Sequence, residues 1–195
     1  MPGTTLPQAP SDLIRLMGGN RSFINKLDSL FTMHLPDEFF AQTEDVTREG
    51  LLGTYVHGNE PSHHIPYLYS WTDEPWKTQY WIREIMNRMY RNNIDGLCGN
   101  DDCGQMSAWY IFSAMGFYPV NPVEGKYQLG APLFDKITLS TGPEKKFVIT
   151  ANKESDRHIY VQEVYLNEKK LDRTWITHEE IMNGGELKFV LSTRP

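Results

Sequence analysis

The chain is 195 residues long, 39% hydrophobic and 23% charged, with a formal net charge of −6. That length accommodates one large domain or two small ones around a core of stable size. The acidic balance, with no basic cluster to offset it, argues against a nucleic-acid partner, and no apolar run is long enough to span a bilayer.

Residues 1–10 (MPGTTLPQAP) are polar and proline-rich, carry no secretory signal and read as a lead-in, so the compartment is not legible from them. Ser11 and Asp12 open a short helix that ends at Gly18-Gly19. Asn20 is placed to cap a second, with Phe23, Ile24, Leu27, Leu30 and Phe31 at helical spacing. Residues 36–53 are mixed and acidic and read as a connection. The run HGNEP (57–61) is turn chemistry, and Ser62 is placed to cap a helix bearing Tyr67, Leu68 and Trp71. Asp73, Glu74 and Pro75 start the clearest helix. Trp76, Tyr80, Ile82, Ile85, Met86, Met89 and Tyr90 form its apolar face, and Arg83, Glu84, Arg88 and Arg91 are its charged residues.

Next comes the stretch 96–122, GLCGNDDCGQMSAWYIFSAMGFYPVNP: a glycine-punctuated polar loop, then an apolar helix over 105–115 that stops at Gly116. Asn and Asp ahead of a helix offer oxygens to its unpaired amides. Beyond Pro122 the texture changes. Short β-branched and aromatic runs at 126–129, 136–140, 146–151, 159–166 and 187–192 alternate with turn signals, and 175–182 reads as a strand end or a helical turn. The prediction is an α+β fold, with helical hairpins over 1–122 and an antiparallel sheet or small sandwich over 123–195. Tyr118, Pro119 and Tyr127 are apolar enough to make the two share an interface.

Reactive side chains crowd in two loops only, 56–64 and 96–105. The first offers His57, Asn59, Glu60, His63 and His64, and the second Asn100, Asp101 and Asp102. Each loop precedes a helix, so hairpin packing can bring both to one end of a bundle. Carboxylates and amide oxygens on loops are hard ligands suited to calcium. Adjacent His63 and His64 cannot face one metal as an i, i+4 pair can, which disfavours zinc. Carboxylate acid–base work is the third chemistry that fits. On the residues alone the plain alternative, that Glu60 and Asp102 only cap helices, is the stronger reading, because acidic residues before helices are common. Cys98 and Cys103, the only cysteines, are close enough for a disulfide without requiring one, and make a poor zinc site.

The segments HGNEPSHHIPYLY (57–69), GNDDCGQMSAWYIFSAMGFYPVNP (99–122) and YQLGAPLFDKITL (127–139) closely resemble the C-terminal part of glycoside hydrolase family 92, calcium-dependent exo-acting α-mannosidases that invert the anomeric centre. The resemblance implies that the helices are part of an (α/α)6 barrel packed against β-sandwich elements. It implies hydrolysis of terminal α-mannosidic linkages, of α-1,2 type, in mannans or N-glycans. It places the general base at Asp102, with Asn100, where the family often has an acid, holding the water or the base. Glu60 of the GNEP motif becomes the first calcium ligand, with Asn59 beside it. His57, His63 and Glu60 line the mannose subsite, and Asp101 serves there or as a capping group. The family's general-acid glutamate lies in a segment before this chain begins, and Glu38, Glu44 and Glu49 lack its aromatic-rich setting. The chain therefore reads as a C-terminal fragment, inactive alone, of a periplasmic or secreted bacterial enzyme, lacking its N-terminal half and prone to self-association. The competing reading is a non-catalytic module that binds carbohydrate or protein.

Overall fold

The computed structural model describes residues 8–34, 36 and 47–195. Helix α1 (Pro10–Leu16) and helix α2 (Asn20–Thr32) form a hairpin. Its Leu13, Ile14, Phe23, Ile24, Leu27, Leu30 and Phe31 are all buried. Asn20 is the first residue of α2 rather than its cap; Gly19 holds the capping position, at φ 94°, a conformation open to glycine. A two-stranded ribbon, β1 (Leu51–Leu52) and β2 (Tyr55–Val56), leads into a 3₁₀ turn at Glu60–Ser62.

Residues Ile65–Trp71 form a 3₁₀ helix, not an α-helix, and Ser62 does not cap it. Ile65 through Ser70 are buried without exception. A segment with no solvent face, and with Pro66 near its start, takes its conformation from its neighbours rather than from a 3.6-residue period. Helix α3 (Trp76–Met89) packs along it, burying Ile82, Ile85, Met86 and Met89. Arg83, expected among the charged residues of that helix, is buried as well, because its Nη2 donates to Pro132 O at 3.0 Å. Helix α4 (Gln105–Met115) ends at Gly116, whose φ of 90° closes the helix in the left-handed region.

The second half holds two sheets. Strands β3 (Phe117–Tyr118), β4 (Lys126–Leu129) and β9 (Trp175–Thr177) make a small antiparallel sheet. The stretch 175–182 is both things its sequence suggested, since β9 runs into helix α5 (His178–Met182), held by a Thr177–Glu180 capping box. The larger sheet has the order β5 (Lys136–Ser140), β6 (Lys146–Asn152), β10 (Gly185–Ser192), β7 (Tyr160–Leu166), β8 (Lys169–Lys170). It is mixed rather than antiparallel: β10 enters between β6 and β7 and runs parallel to β6. Strands β6 and β7 are far enough apart in the sheet to admit the last strand, and the alternation of Leu187, Phe189 and Leu191 toward the core sets its register.

Two apolar cores result. One is helical and includes Phe23, Tyr55, Tyr67, Ile85 and Trp109; the other includes Phe117, Phe147, Ile149, Leu187 and Phe189. The halves are tied by Gln79 Oε1, which accepts from Val161 N at 2.9 Å, and by Trp76 packing edge-on against Tyr160. Ile94, Leu97 and Ile111 are left exposed on the helical side, along one cleft.

Candidate active site

The 96–105 loop is shaped by its join to α4. Asp102 (φ 47°), Cys103 (φ 58°) and Gly104 (φ 88°) are consecutive left-handed residues. Glycine takes that conformation readily; for Asp102 and Cys103 it costs about 1–2 kcal/mol each. Asp101 offsets the strain. Its Oδ1 accepts from Ser107 N at 2.8 Å and its Oδ2 from Ser107 Oγ at 3.0 Å, while its carbonyl accepts from Met106 N at 3.2 Å. Asp101 is thus the capping group of α4, with both carboxylate oxygens engaged. Its neighbour Asp102 is exposed, and its side chain makes no hydrogen bond among the described residues. Asn100 is exposed beside it. Two adjacent aspartates are thereby given different work, one structural and one open to solvent.

The 57–64 loop is held from beneath by a buried relay. Tyr90 Oη donates to Met106 O at 3.0 Å, so it accepts from His57 Nε2 at 2.7 Å. His57 Nδ1 then accepts from Tyr55 Oη at 2.8 Å, which assigns the Nε2–H tautomer. The ring lies edge-on to Trp109 and is fully buried, and burial, reinforced by His63, pushes its pKa well below the usual value. His63 is buried too. Its Nε2 donates to His57 O at 2.9 Å, its Nδ1 faces Gln105 Nε2 at 3.4 Å, and its own carbonyl accepts from Trp109 Nε1 at 2.9 Å. Burial lowers the His63 pKa, with the Glu60 carboxylate opposing. Neither ring reaches the surface: His63 holds the loop's backbone at His57 O, and His57 anchors the start of the loop between the Tyr55 and Tyr90 hydroxyls. His64 is also buried.

Glu60 and Asn59 are on the outside of this loop, Glu60 half-buried and Asn59 exposed. Their side chains make no hydrogen bond among the described residues. The two loops meet at a pair of glycines. A Cβ on Gly99 would lie 2.9 Å from both Cα and O of Gly58 and 3.2 Å from Met106 Cε, so only glycine permits this approach. Sequence reasoning grouped the loops but did not identify Gly58 and Gly99 as their contact, nor Tyr55, Tyr90, Trp109 and Gln105 as their support. The glycine in each motif was the available signal.

Among the described residues no three His, Cys, Asp or Glu side chains converge on one point. A cleft of about 320 Å³ runs past Glu49, Arg91, Asp95 and Gly99 but is lined by neither Glu60 nor Asp102. Glu38 and Glu44 lie outside the described residues, and Glu49 is exposed. Cys98 is buried and Cys103 exposed, both as free thiols.

The glycosyl hydrolase family 92 catalytic domain matches residues 3–193. A family GH92 α-mannosidase from Bacteroides thetaiotaomicron is 45% identical, with a TM-score of 0.88, over 97% of this chain and 24% of its own. The same enzyme in complex with mannoimidazole gives a TM-score of 0.90. A family GH92 inverting mannosidase from that organism is 37% identical, with a TM-score of 0.82, over 99% of this chain and 27% of its own. An uncharacterized secreted glycosidase of Arthroderma benhamiae is 29% identical over 189 residues, 95% of this chain and 22% of that protein. The chain spans about a quarter of the length of these relatives.

Proposed function

Because the chain belongs to glycosyl hydrolase family 92, we propose that it carries the base-bearing part of an inverting α-mannosidase active site. The substrates are terminal α-mannosidic linkages, of α-1,2 type, in mannans or N-glycans. The helices of residues 1–122 belong to an (α/α)6 barrel, and residues 123–195 pack on it as the β-rich part. The observation that carries the reading is the Gly58–Gly99 contact, which brings the Asn59–Glu60 loop against the Asn100–Asp102 loop.

In this reading Asp102, exposed and held in a left-handed conformation, takes the proton from a water. That water's oxygen attacks the anomeric carbon opposite the departing oxygen, so the configuration inverts. Strained residues of this kind gather at sites where the surrounding structure over-determines them. Asn100 orients the water or the base. The proton for the departing oxygen comes from a second carboxyl group, about 6.5–9.5 Å from the base in an inverting site. Asp101 is excluded from that role by its two bonds to Ser107.

Calcium fits the donors present. Glu60 and Asn59 offer hard oxygens that make no side-chain hydrogen bond among the described residues, on a loop whose backbone is fixed at His57 O and His63 O. Six to eight oxygens surround calcium, so Glu60 and Asn59 would supply only part of its set. Bound there, the ion would supply positive charge to polarise sugar hydroxyls. His57 and His63 shape the mannose subsite through the backbone they hold. A periplasmic or extracellular setting accords with the likeness to a secreted glycosidase.

Calorimetric titration of calcium, with and without mannose, tests the metal assignment: binding is expected in the parent chain and not in Glu60→Gln. Hydrolysis of α-1,2-mannobiose by a family 92 mannosidase in which this chain replaces the matching quarter, followed by NMR, tests the base. β-Mannose is expected as first product, and Asp102→Asn is expected to lower the rate by about 10²–10⁴. A full rate in Asp102→Asn would remove Asp102 from the mechanism. Sugar binding without turnover, unchanged by that substitution, would favour a non-catalytic binding module instead.

A further inference from the structure

Helix α3 presents a second set of polar groups on a different face, where it meets the segment between β4 and β5 and the turn after β6. Arg83 and Asn87, one helical turn apart and so on one side of α3, line an open cavity of about 600 Å³ with Phe134, Asp135, Lys153 and Asp156. A volume of that order suits a small-molecule ligand. The cations are on the protected side. Arg83 is 7% exposed and the Lys153 side chain 9%, and main-chain carbonyls anchor both, Pro132 O for Arg83 Nη2 at 3.0 Å and Leu133 O for Lys153 Nζ at 2.8 Å. The carboxylates are at the rim: Asp135 and Asp156 are 79% and 100% exposed, each with an oxygen 3.5 Å from Lys153 Nζ.

Two cations and two carboxylates leave the cavity formally neutral, and the acidic rim disfavours an entering oxyanion. Lys153 is fully engaged, but Arg83 is not. Arg83 Nε is buried with no acceptor among the described residues, where a buried guanidinium ordinarily engages most of its N–H groups. Phe134 is 52% exposed on the same cavity, an apolar ring left uncovered beside planar hydrogen-bonding groups. Donors on the inner wall and acceptors at the rim, beside an aromatic face, suit a neutral polyhydroxylated ring: hydroxyls both give and accept hydrogen bonds, and the ring's C–H face covers the aromatic.

We propose that this cavity is a saccharide-binding site separate from the Glu60 and Asp102 loops. It would hold a sugar residue of a longer chain without acting on it. Neither Asp102 nor Glu60 lines the cavity, so the site stands apart from the hydrolytic loops, and only the choice of α-mannosides as probes rests on the hydrolytic reading.

The test is NMR titration of the isotope-labelled chain with methyl α-mannoside and α-1,2-mannobiose, with inorganic phosphate as a separate arm at constant ionic strength. Saturable shifts are expected at Asn87, Phe134 and Lys153, with a dissociation constant on the order of millimolar. Phe134→Ala and Asn87→Ala alter exposed side chains and leave the fold intact. Each is expected to weaken those shifts by about tenfold, while any shifts at residues 57–64 and 96–105 persist. Sugar-induced shifts confined to those two loops would overturn the proposal and leave the hydrolytic reading standing. A response at Asn87 and Lys153 to phosphate alone would overturn the saccharide assignment in favour of an oxyanion site.

Discussion

Replacing Gly99 by alanine is the sharpest probe of how the two loops are joined. The added methyl would sit 2.9 Å from Cα and O of Gly58, where an ordinary contact begins near 3.4 Å, so the loops must separate by about half an ångström. The obstacle on the Gly58 side is backbone and cannot rotate away. Overpacking of this kind costs about 1–3 kcal/mol. For a chain of this size that is a fall of about 2–12 °C in Tm. Gly99 has no positive φ, so the cost is one of contact alone. Gly104→Ala is the matched control: nothing lies within 4 Å of its added Cβ, but its φ of 88° makes alanine strained by about 1–2 kcal/mol. Thermal unfolding and calcium calorimetry on both variants separate the two effects. Gly99→Ala is expected to lose calcium affinity as well as stability, because Glu60 and Asn59 move with their loop, whereas Gly104→Ala loses stability with Glu60 and Asn59 in place. Parental stability and calcium affinity in Gly99→Ala would refute the idea that this contact assembles the site.

Stability should fall with acidification. His57 and His63 have pKa values lowered in the fold, so below the ordinary value near 6.5 the unfolded chain binds protons that the folded chain refuses. The stabilisation from neutral imidazoles is present above that pH and is lost as pH falls toward the lowered folded values. Each histidine contributes a slope of up to about 1.4 kcal/mol per pH unit. Urea unfolding at pH 7.5, 6.5 and 5.5 measures this, and His57→Gln should flatten the dependence while lowering stability throughout; an unchanged slope would mean that His57 is not held neutral. The thiols should differ sharply toward iodoacetamide. Cys103 is exposed and is expected to alkylate in the native state, whereas Cys98 is buried, with its pKa pushed up to about 11, and should wait for unfolding. Mass spectrometry of time points decides it. Trp109→Ala removes a fully buried ring, along with the indole N–H bond to His63 O, and is expected to cost about 3–5 kcal/mol by chemical denaturation.

Much of the local structure was legible in the residues themselves. The helices α2, α3 and α4 and the strands β4 to β7 and β10 follow from runs whose apolar spacing matches a helix or strand period. Whether a side chain can face a core on a regular element depends only on its own neighbours along the chain. The capping role of an acidic residue before α4 was legible for the same reason, and so was the closeness of the two polar loops, each ahead of a helical segment.

Tertiary structure decided the rest. Arg83 lies on α3 with an ordinary charged-face appearance, and is buried because Pro132, far along the chain, offers its carbonyl. The parallel pairing of β10 with β6 depends on which slot in the sheet is open when the last strand arrives, which no local pattern records. His57 and His63 look in sequence like groups available to a ligand. They are enclosed because Tyr90 and Trp109, from two other places in the chain, join the neighbouring Tyr55 in completing their hydrogen bonds. The division of work between Asp101 and Asp102 turns on a left-handed bend and one serine a turn later. Residue type determined what chemistry the chain can offer. Long-range packing decided which groups keep that chemistry at the surface, because burial and partnership are properties of the neighbours a residue meets in space.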